Sequence, residues 1–466
     1  MKRILIQTGI VFFVFFYGCK KDTFITSKDA LVQVSADTLH FDTVFTTTGS
    51  VTQQFKIKNA NNQKLKIDEI ILKGGVASAF EINADGVTGP DVKNIELDAN
   101  DSIFVFVTVT INPSVTELPF VVRDSIGITS NGNSQFVQLE AWGQNAHFLR
   151  GQKITGNTVW TNDLPYIILG GLQVDTNATL TIQKGCKIYL HADAPLLVDG
   201  SLQVNGEKAD SSRVYFNGDR LDYPYNEYPA AWPGIYFRGT SKNNVLQYAV
   251  VRNAYQGFVA QQPSVNANPK LTLNQCIIDN IYDVGLYGIQ TSISANNCLI
   301  SNCGKNVQLV LGGNYQFVHC SMPTIGNNYI THKDPVLYIS NYVQSGSNVY
   351  TDNMLAVFTN CIIWADNSTA DNEVVTAKQA AATFNVTFTN CLWKVKTTPS
   401  DIVSSNIIAN QNPVFDSINA PKNFYNFRLK DGSPAINKGV ATSVLTDLDG
   451  NSRAVGLPDL GAYEKQ

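Results

Sequence analysis

The chain has 466 residues, 34 basic against 38 acidic side chains and a net charge of −4, and at roughly 150 residues per domain it is too long for one ordinary globular core. With 44% hydrophobic and 15% charged residues and Gly, Asn, Thr and Val prominent, it has the ingredients of short strands and tight turns rather than of long helices. No basic stripe with interleaved aromatics occurs, so the footprint of polyanion binding is missing and nucleic acid is not expected as a partner.

The first predicted element is a leader. Met1-Lys2-Arg3 supplies a positive start, Ile4 to Tyr17 is dominated by apolar residues, and Gly18-Cys19 closes the run. The run is shorter than the roughly 20 residues of a membrane span, and Lys20-Lys21-Asp22 follows at once, so cleavage is expected. Loss of residues 1–18 takes the net charge to −6, with 32 basic against 38 acidic residues, a balance that bears on solubility. A small residue just before a cysteine resembles the lipobox of bacterial lipoproteins, in which the thiol is alkylated with diacylglycerol and the new N-terminus is acylated. The resemblance implies lipidation of Cys19, with residues 19–29 as an anchor linker, and two or more acyl chains hold a protein stably at a bilayer. Phe16 stands where the lipobox usually has Leu. The implied location is the outer membrane, on its periplasmic or its exposed side.

Residues 30–148 read as antiparallel strands. Ile103, Val105, Val107, Val109 and Ile111 alternate with other residues, which puts five aliphatic side chains on one face of a strand. Phe104 and Phe106 on the other face predict a central strand covered on both sides. Val137, Leu139 and Ala141 alternate likewise, and Asn131-Gly132 upstream is a hairpin signal because both residues tolerate positive φ. Short strands at this spacing predict a β-sandwich of immunoglobulin-like type. Phe41-Asp42-Thr43-Val44-Phe45, Asp101-Ser102-Ile103 and Asp124-Ser125-Ile126 resemble the N-terminal sandwich of Bacteroidetes-type lipoproteins. His40 and His147 each stand alone, so no metal site is expected, and the segment reads as a spacer or interaction module.

From Leu172 the period changes. Aliphatic pairs recur at Leu172/Val174, Leu180/Ile182, Ile188/Leu190, Leu196/Val198 and Leu202/Val204. Each pair is one strand too short to stand alone, and stacking in coils is what would bury it. Further on, Leu273-Asn274-Gln275-Cys276 aligns with Ala295-Asn296-Asn297-Cys298 and Phe317-Val318-His319-Cys320, a step of 22 residues taken twice. Phe358-Thr359-Asn360-Cys361 and Phe388-Thr389-Asn390-Cys391 continue it after insertions. Asn before the cysteine suits a bend near the left-handed region, and the cysteine behaves as a small buried hydrophobe. Seven cysteines beyond Cys19 are an odd number, which excludes a full disulfide framework. Parallel stacked thiols also give poor bridging geometry for a Cys276–Cys298 pair. Without a CxxC pair, zinc is not expected.

These coils, with Trp232-Pro233-Gly234-Ile235-Tyr236-Phe237, resemble the right-handed parallel β-helix proteins of the pectin-lyase type. The fold class expected is therefore all-β, an N-terminal β-sandwich followed by a right-handed parallel β-helix over residues 155–466. The ending, from Asp431-Gly432-Ser433-Pro434 through Asp447-Leu448-Asp449-Gly450-Asn451-Ser452-Arg453 to Pro458-Asp459-Leu460-Gly461-Ala462-Tyr463-Glu464, is similar to that of many bacterial β-helix proteins and is expected to cap the last coil. Asp447 and Asp449 before Gly450 offer oxygen ligands of the kind calcium uses. No suitably spaced Glu follows, so an Asp-Gly turn is preferred and no cofactor is expected.

A hydrolase needs paired carboxylates, but no Asp-Asp dipeptide occurs and the acidic residues of the coils are scattered. A lyase needs a base and a cationic neutraliser. Arg252, Tyr282, Tyr287, His319, His332 and Lys333 are candidates, each with a plainer structural role available, so no catalytic residue is assigned. Aromatics make the better case. Tyr223, Tyr225, Tyr228 and Trp232 lie in or beside a Pro-rich insertion, where rings with polar tips can stack on sugars or pack over the helix flank. The reading adopted is a non-catalytic envelope lipoprotein that contacts polysaccharide or another surface component through its β-helix. A lyase acting on uronate-containing glycans by β-elimination, implied by the resemblance alone, and a structural or adhesive stalk are the alternatives.

Overall fold

The computed structural model describes residues 23–45, 52–112, 120–366 and 369–466, with the side chain of Phe120 left aside. The leader and Cys19 lie outside the described residues. The chain divides into two compact units, the first ending at Gln144 and the second running Asn145–Gln466. Among the described residues no helix is long and apolar enough to cross a membrane.

Among the described residues the first unit is a β-sandwich of ten strands: β1 (Val32–Val34), β2 (Thr38–Phe45), β3 (Gln53–Asn59), β4 (Leu65–Leu72), β5 (Phe80–Ala84), β6 (Val87–Thr88), β7 (Asp91–Leu97), β8 (Ser102–Val109), β9 (Phe120–Ser130) and β10 (Asn133–Gln144). They form two five-stranded sheets, β1-β3-β8-β5-β6 and β2-β10-β9-β4-β7, antiparallel except where β10 runs parallel to β2. Asn131 and Gly132 make the two-residue turn of the β9–β10 hairpin with φ of 49° and 75°. β8 is central, with Ile103, Val105, Val107 and Val109 buried. Its other face corrects the expectation from sequence. Phe104 and Phe106 are 37% and 39% exposed and stack on each other with centroids 6.0 Å apart. In a two-layer sandwich only the inner face of each sheet meets a second layer, and here Lys56 lies 4.7 Å over the Phe104 ring in place of one.

The second unit is a parallel β-helix in which 26 strands pair side by side. Its strands visit three parallel sheets in rotation. Thr179–Gln183 stacks under Ser201–Asn205 in the first sheet, Lys187–Leu190 under Val214–Gly218 in the second, and Leu196–Val198 under Ile235–Phe237 in the third. The aliphatic pairs read from sequence are the inward rungs: Leu180, Ile182, Ile188, Leu190, Leu196, Val198, Leu202 and Val204 are all fully buried. The first strand of the unit, His147–Ile154, pairs with Tyr166–Val174.

The cysteine-based alignment is the physical register. Leu273 stacks on Ala295, Ala295 on Phe317, Phe317 on Phe358 and Phe358 on Phe388. The phenylalanine rings of this ladder lie 4.8 and 4.7 Å apart with planes within 8° and 9° of parallel, the strand spacing of a sheet. The residue before each cysteine, namely Gln275, Asn297, His319, Asn360 and Asn390, has φ between 50° and 57°. This left-handed kink turns the chain from the first sheet into the second. All seven cysteines beyond Cys19 are free and buried, and burial holds Cys298 and Cys361 as neutral thiols.

Gly234 explains why a glycine follows Trp232-Pro233. Its φ is 131°, and a Cβ there would lie 2.1 Å from the Gln256 carbonyl of the next coil, so the chain re-enters the third sheet against backbone.

The C-terminal residues do not sit over the last coil as expected. They run back along the flank. Phe427, Leu448, Ala462 and Tyr463 pack on Leu299 and Ile325, while Leu429, Ala435 and Leu460 pack on Ile362, Trp364 and Leu392. Asn360 holds Val440 through both amide atoms, and Asn390 donates to the Lys438 carbonyl. Farther back, Arg213 reaches the Leu448 carbonyl at 3.4 Å. The outward apolar residues of the second sheet need cover, and this strap supplies it. The last paired strands, Val403–Ser405 and Ile408–Ala409, remain largely exposed.

Asp447, Arg453, Asp459 and Glu464 of the ending face inward, each at most 6% exposed. Asp447 accepts from the backbone nitrogens of Asp449, Asn451 and Glu464, and Asp449 accepts from Arg428 at 2.7 Å. These carboxylates are engaged by N–H donors. Among the described residues no group of three His, Cys, Asp or Glu side chains is placed to hold a metal ion.

Candidate functional site

At the bend from the second sheet into the third, a second asparagine ladder repeats with the coil. Asn253, Asn280 and Asn302 have φ of 61°, 57° and 51°, each directly following a strand of the second sheet. The Pro-rich loop folds over this ladder. Asn253 donates to the Asn226 carbonyl and Asn280 to the Glu227 carbonyl, both at 2.8 Å. Arg220 forms a bidentate pair with Asp222 and lies 3.8 Å from the Tyr225 ring.

Between loop and ladder lies a polar pocket of about 210 Å³. Asn217, Arg252, Asn253, Asp279, Asn280 and Asn302 line it from the coils, Asn226 and Glu227 from the Pro-rich loop, and Asn327, Tyr329, Asn423 and Tyr425 from chain farther on. The amides form a relay, Asn327 to Asn280 at 2.8 Å, Asn280 to Asn253 at 2.8 Å and Asn253 to Asn217 at 3.0 Å. Glu227 accepts from Tyr329 Oη at 3.2 Å and from Asn423 at 2.7 Å. Asp279 pairs with Arg252 at 3.4 Å and accepts from Ser301 at 2.7 Å. Burial and the neighbouring Glu227 hold the Tyr329 hydroxyl above the usual phenol range, and burial pushes Tyr425 up to about 12. Both therefore remain hydrogen-bond donors at neutral pH.

At the rim, Tyr225 meets Tyr228 edge-on at 5.3 Å and Tyr228 meets Tyr329 edge-on at 5.1 Å. Tyr223, Tyr225 and Tyr228 are 76%, 44% and 37% exposed, as ligand-contacting rings must be. Trp232 is a correction: it is fully buried in the helix core, with Nε1 donating to the Arg252 carbonyl at 2.9 Å. The Pro-rich insertion ends before it, and Trp232 already belongs to the next coil, bridging to Ala254.

No family model matches the sequence, and comparison with curated proteins finds no match. Among solved structures, the catalytic unit of a GH87 α-1,3-glucanase from Streptomyces thermodiastaticus is similar over 77% of this chain and 89% of its own, at 11% identity and a TM-score of 0.24. A family 123 glycoside hydrolase from Clostridium perfringens is similar over 25% of this chain, at 9% identity and a TM-score of 0.19. This chain spans 30% of that enzyme's length. The PapD-like domain 7 of human CEP192 is similar over 30% of this chain and 96% of its own, at 13% identity and a TM-score of 0.18. Likeness at these scores carries no function across.

The lyase candidates are not gathered in the pocket. Arg252 alone lines it. Tyr282 stacks on Tyr255 at 5.6 Å, and Tyr287 lies half-buried on the third sheet. His319 is buried in the first asparagine ladder, accepting from Asn360 at 2.9 Å. His332 is buried against Glu373 at 2.9 Å, and Lys333 is exposed. Apart from Arg252, the residues that build the pocket do not stand out as candidates in the sequence. Asn280 and Asn302 sit 22 residues apart, the same step as the cysteines, and that repeat was the available signal.

Proposed function

We propose that the protein is an envelope lipoprotein, tethered to the outer membrane through a diacylglyceryl-modified Cys19, that holds polysaccharide against the flank of its β-helix without cleaving it. The immunoglobulin-like sandwich serves as the spacer between anchor and helix. The observation that carries the binding half is the pocket itself: planar amides, two carboxylates and two tyrosine hydroxyls under a rim of exposed rings. Sugars present apolar ring faces and a fringe of hydroxyls, and such a surface answers both. The anchor half rests on the leader and its Gly18-Cys19 ending.

Two measurements test the two halves separately. Cys19→Ser is expected to move the protein from the membrane to the soluble fraction, because it removes the lipidated thiol; continued membrane association would end the lipoprotein reading. Affinity electrophoresis through polysaccharide gels is expected to show retardation, and Tyr228→Ala to weaken it about 10-fold, the worth of one stacked ring. An unretarded wild-type protein across neutral and charged glycans would end the binding reading.

A further inference from the structure

We infer that the pocket selects neutral, hydroxyl-rich sugar units and rejects uronates, an inference that rests on the polysaccharide-binding reading. Charge makes the first case. Two carboxylates, Glu227 and Asp279, line the pocket against one guanidinium, Arg252, and that cation is already paired with Asp279 at 3.4 Å. A uronate entering here would bring a third negative charge to a site whose one lining cation already faces a carboxylate. Each like-charge neighbour in a partly desolvated site weakens binding rather than helping it.

Hydrogen-bond bookkeeping makes the second case independently. Asn253 spends its amide N–H groups on Asn217 and the Asn226 carbonyl, and Asn280 spends its own on Asn253 and the Glu227 carbonyl. Asn423 donates to Glu227, while its own Oδ1 is buried without a partner. The amide donors of Asn253 and Asn280 have been used within the protein, and the buried capacity left over on Asn423 lies on oxygen. A carboxylate only accepts, so it finds few donors here. A sugar hydroxyl both donates and accepts, so adjacent hydroxyls of one sugar can donate separately to the Asn423 oxygen and to a carboxylate lone pair. Burying an acceptor-only group against acceptors would leave both sides unsatisfied, the costly outcome.

The test is affinity electrophoresis of the full-length protein in nonionic detergent, using neutral glucan, galactan, mannan and xylan gels beside polygalacturonate and alginate gels. Retardation by at least one neutral polymer and by neither uronate is the expected result. Glu227→Gln separates the causes. If neutral hydroxyls are the ligand, losing the charged acceptor weakens binding roughly 10-fold; if a uronate is the ligand, removing the negative charge strengthens it. Stronger retardation by uronate gels, or tighter uronate binding by Glu227→Gln, overturns the inference and leaves the binding reading standing. No retardation by any gel removes both. An unchanged melting temperature for Glu227→Gln shows that the effect is local.

Discussion

Arg453→Ala is expected to destabilise the β-helical unit by about 3–5 kcal/mol, the cost of leaving one member of a buried ion pair without its partner. Arg453 donates to Glu464 at 3.0 Å, with both side chains at most 2% exposed. The same guanidinium reaches Asn297 at 2.8 Å and the Gly461 carbonyl at 2.9 Å, so it joins the strap to the asparagine ladder. Truncation strands the Glu464 carboxylate beside Asp459 and Asp447, where only backbone and amide donors remain. The penalty should shrink in acid, because protonating Glu464 removes the uncompensated charge. Urea unfolding followed by circular dichroism at pH 7 and pH 4.5 measures both. A loss under about 1 kcal/mol at pH 7 would place the pair among weak surface bridges instead. Replacing Arg453 by Met and Glu464 by Leu together should cost less than the single truncation, since no charge is then left alone.

Acid should weaken the protein through His319, and His319→Asn should remove that weakness. Burial, reinforced by the nearby Arg453 cation, pushes the imidazole down to about 3, against roughly 6.5 for an unfolded histidine. Between those values the unfolded chain binds a proton that the folded chain refuses. Stability contributed by the neutral imidazole is complete above about pH 6.5 and falls as pH drops toward 3, by about 1.4 kcal/mol per unit and on the order of 4–5 kcal/mol in all. Asparagine suits the φ of 52° at this position better than histidine does, and it would continue the run from Asn297 to Asn360. His319→Asn should therefore equal or exceed the wild type at pH 7 and lose less on acidification. Wild-type and variant stabilities that fall in parallel from pH 6.5 to 4 would show that another group carries the acid sensitivity.

The features that were legible in the sequence are those whose physics repeats. The ladder from Leu273 to Phe388 was visible because every inward position must be apolar and every kink must tolerate a positive φ, so residues at one spacing betray one another. The sandwich strands were visible for the same reason, at a period of two. The outer face of β8 was misread because an aromatic side chain looks the same in sequence whether a second layer covers it or its neighbour and a lysine do. Trp232 was misread because its neighbours in sequence form a loop, while its neighbours in space form a core. The pocket was hidden more deeply. Glu227 meets Tyr329 and Asn423 across 102 and 196 residues of chain, and no periodicity links those distances. The ending reads as a cap by resemblance, but its path along the flank depends on outward residues such as Leu299 and Ile362 that read as ordinary strand positions.

The strap also sets the order in which the molecule can mature. Coils can stack progressively as successive segments become available, each new rung templated by the one before. The flank spanning Leu299 to Leu392 stays greasy until residues 427–463 arrive to cover it. A chain made N-terminus first thus carries an uncovered apolar stripe from the time these coils form until its last residues emerge, a sticky intermediate of the kind chaperones engage. A nascent chain stalled before Arg453 would be assembled in its rungs yet unfinished on its side.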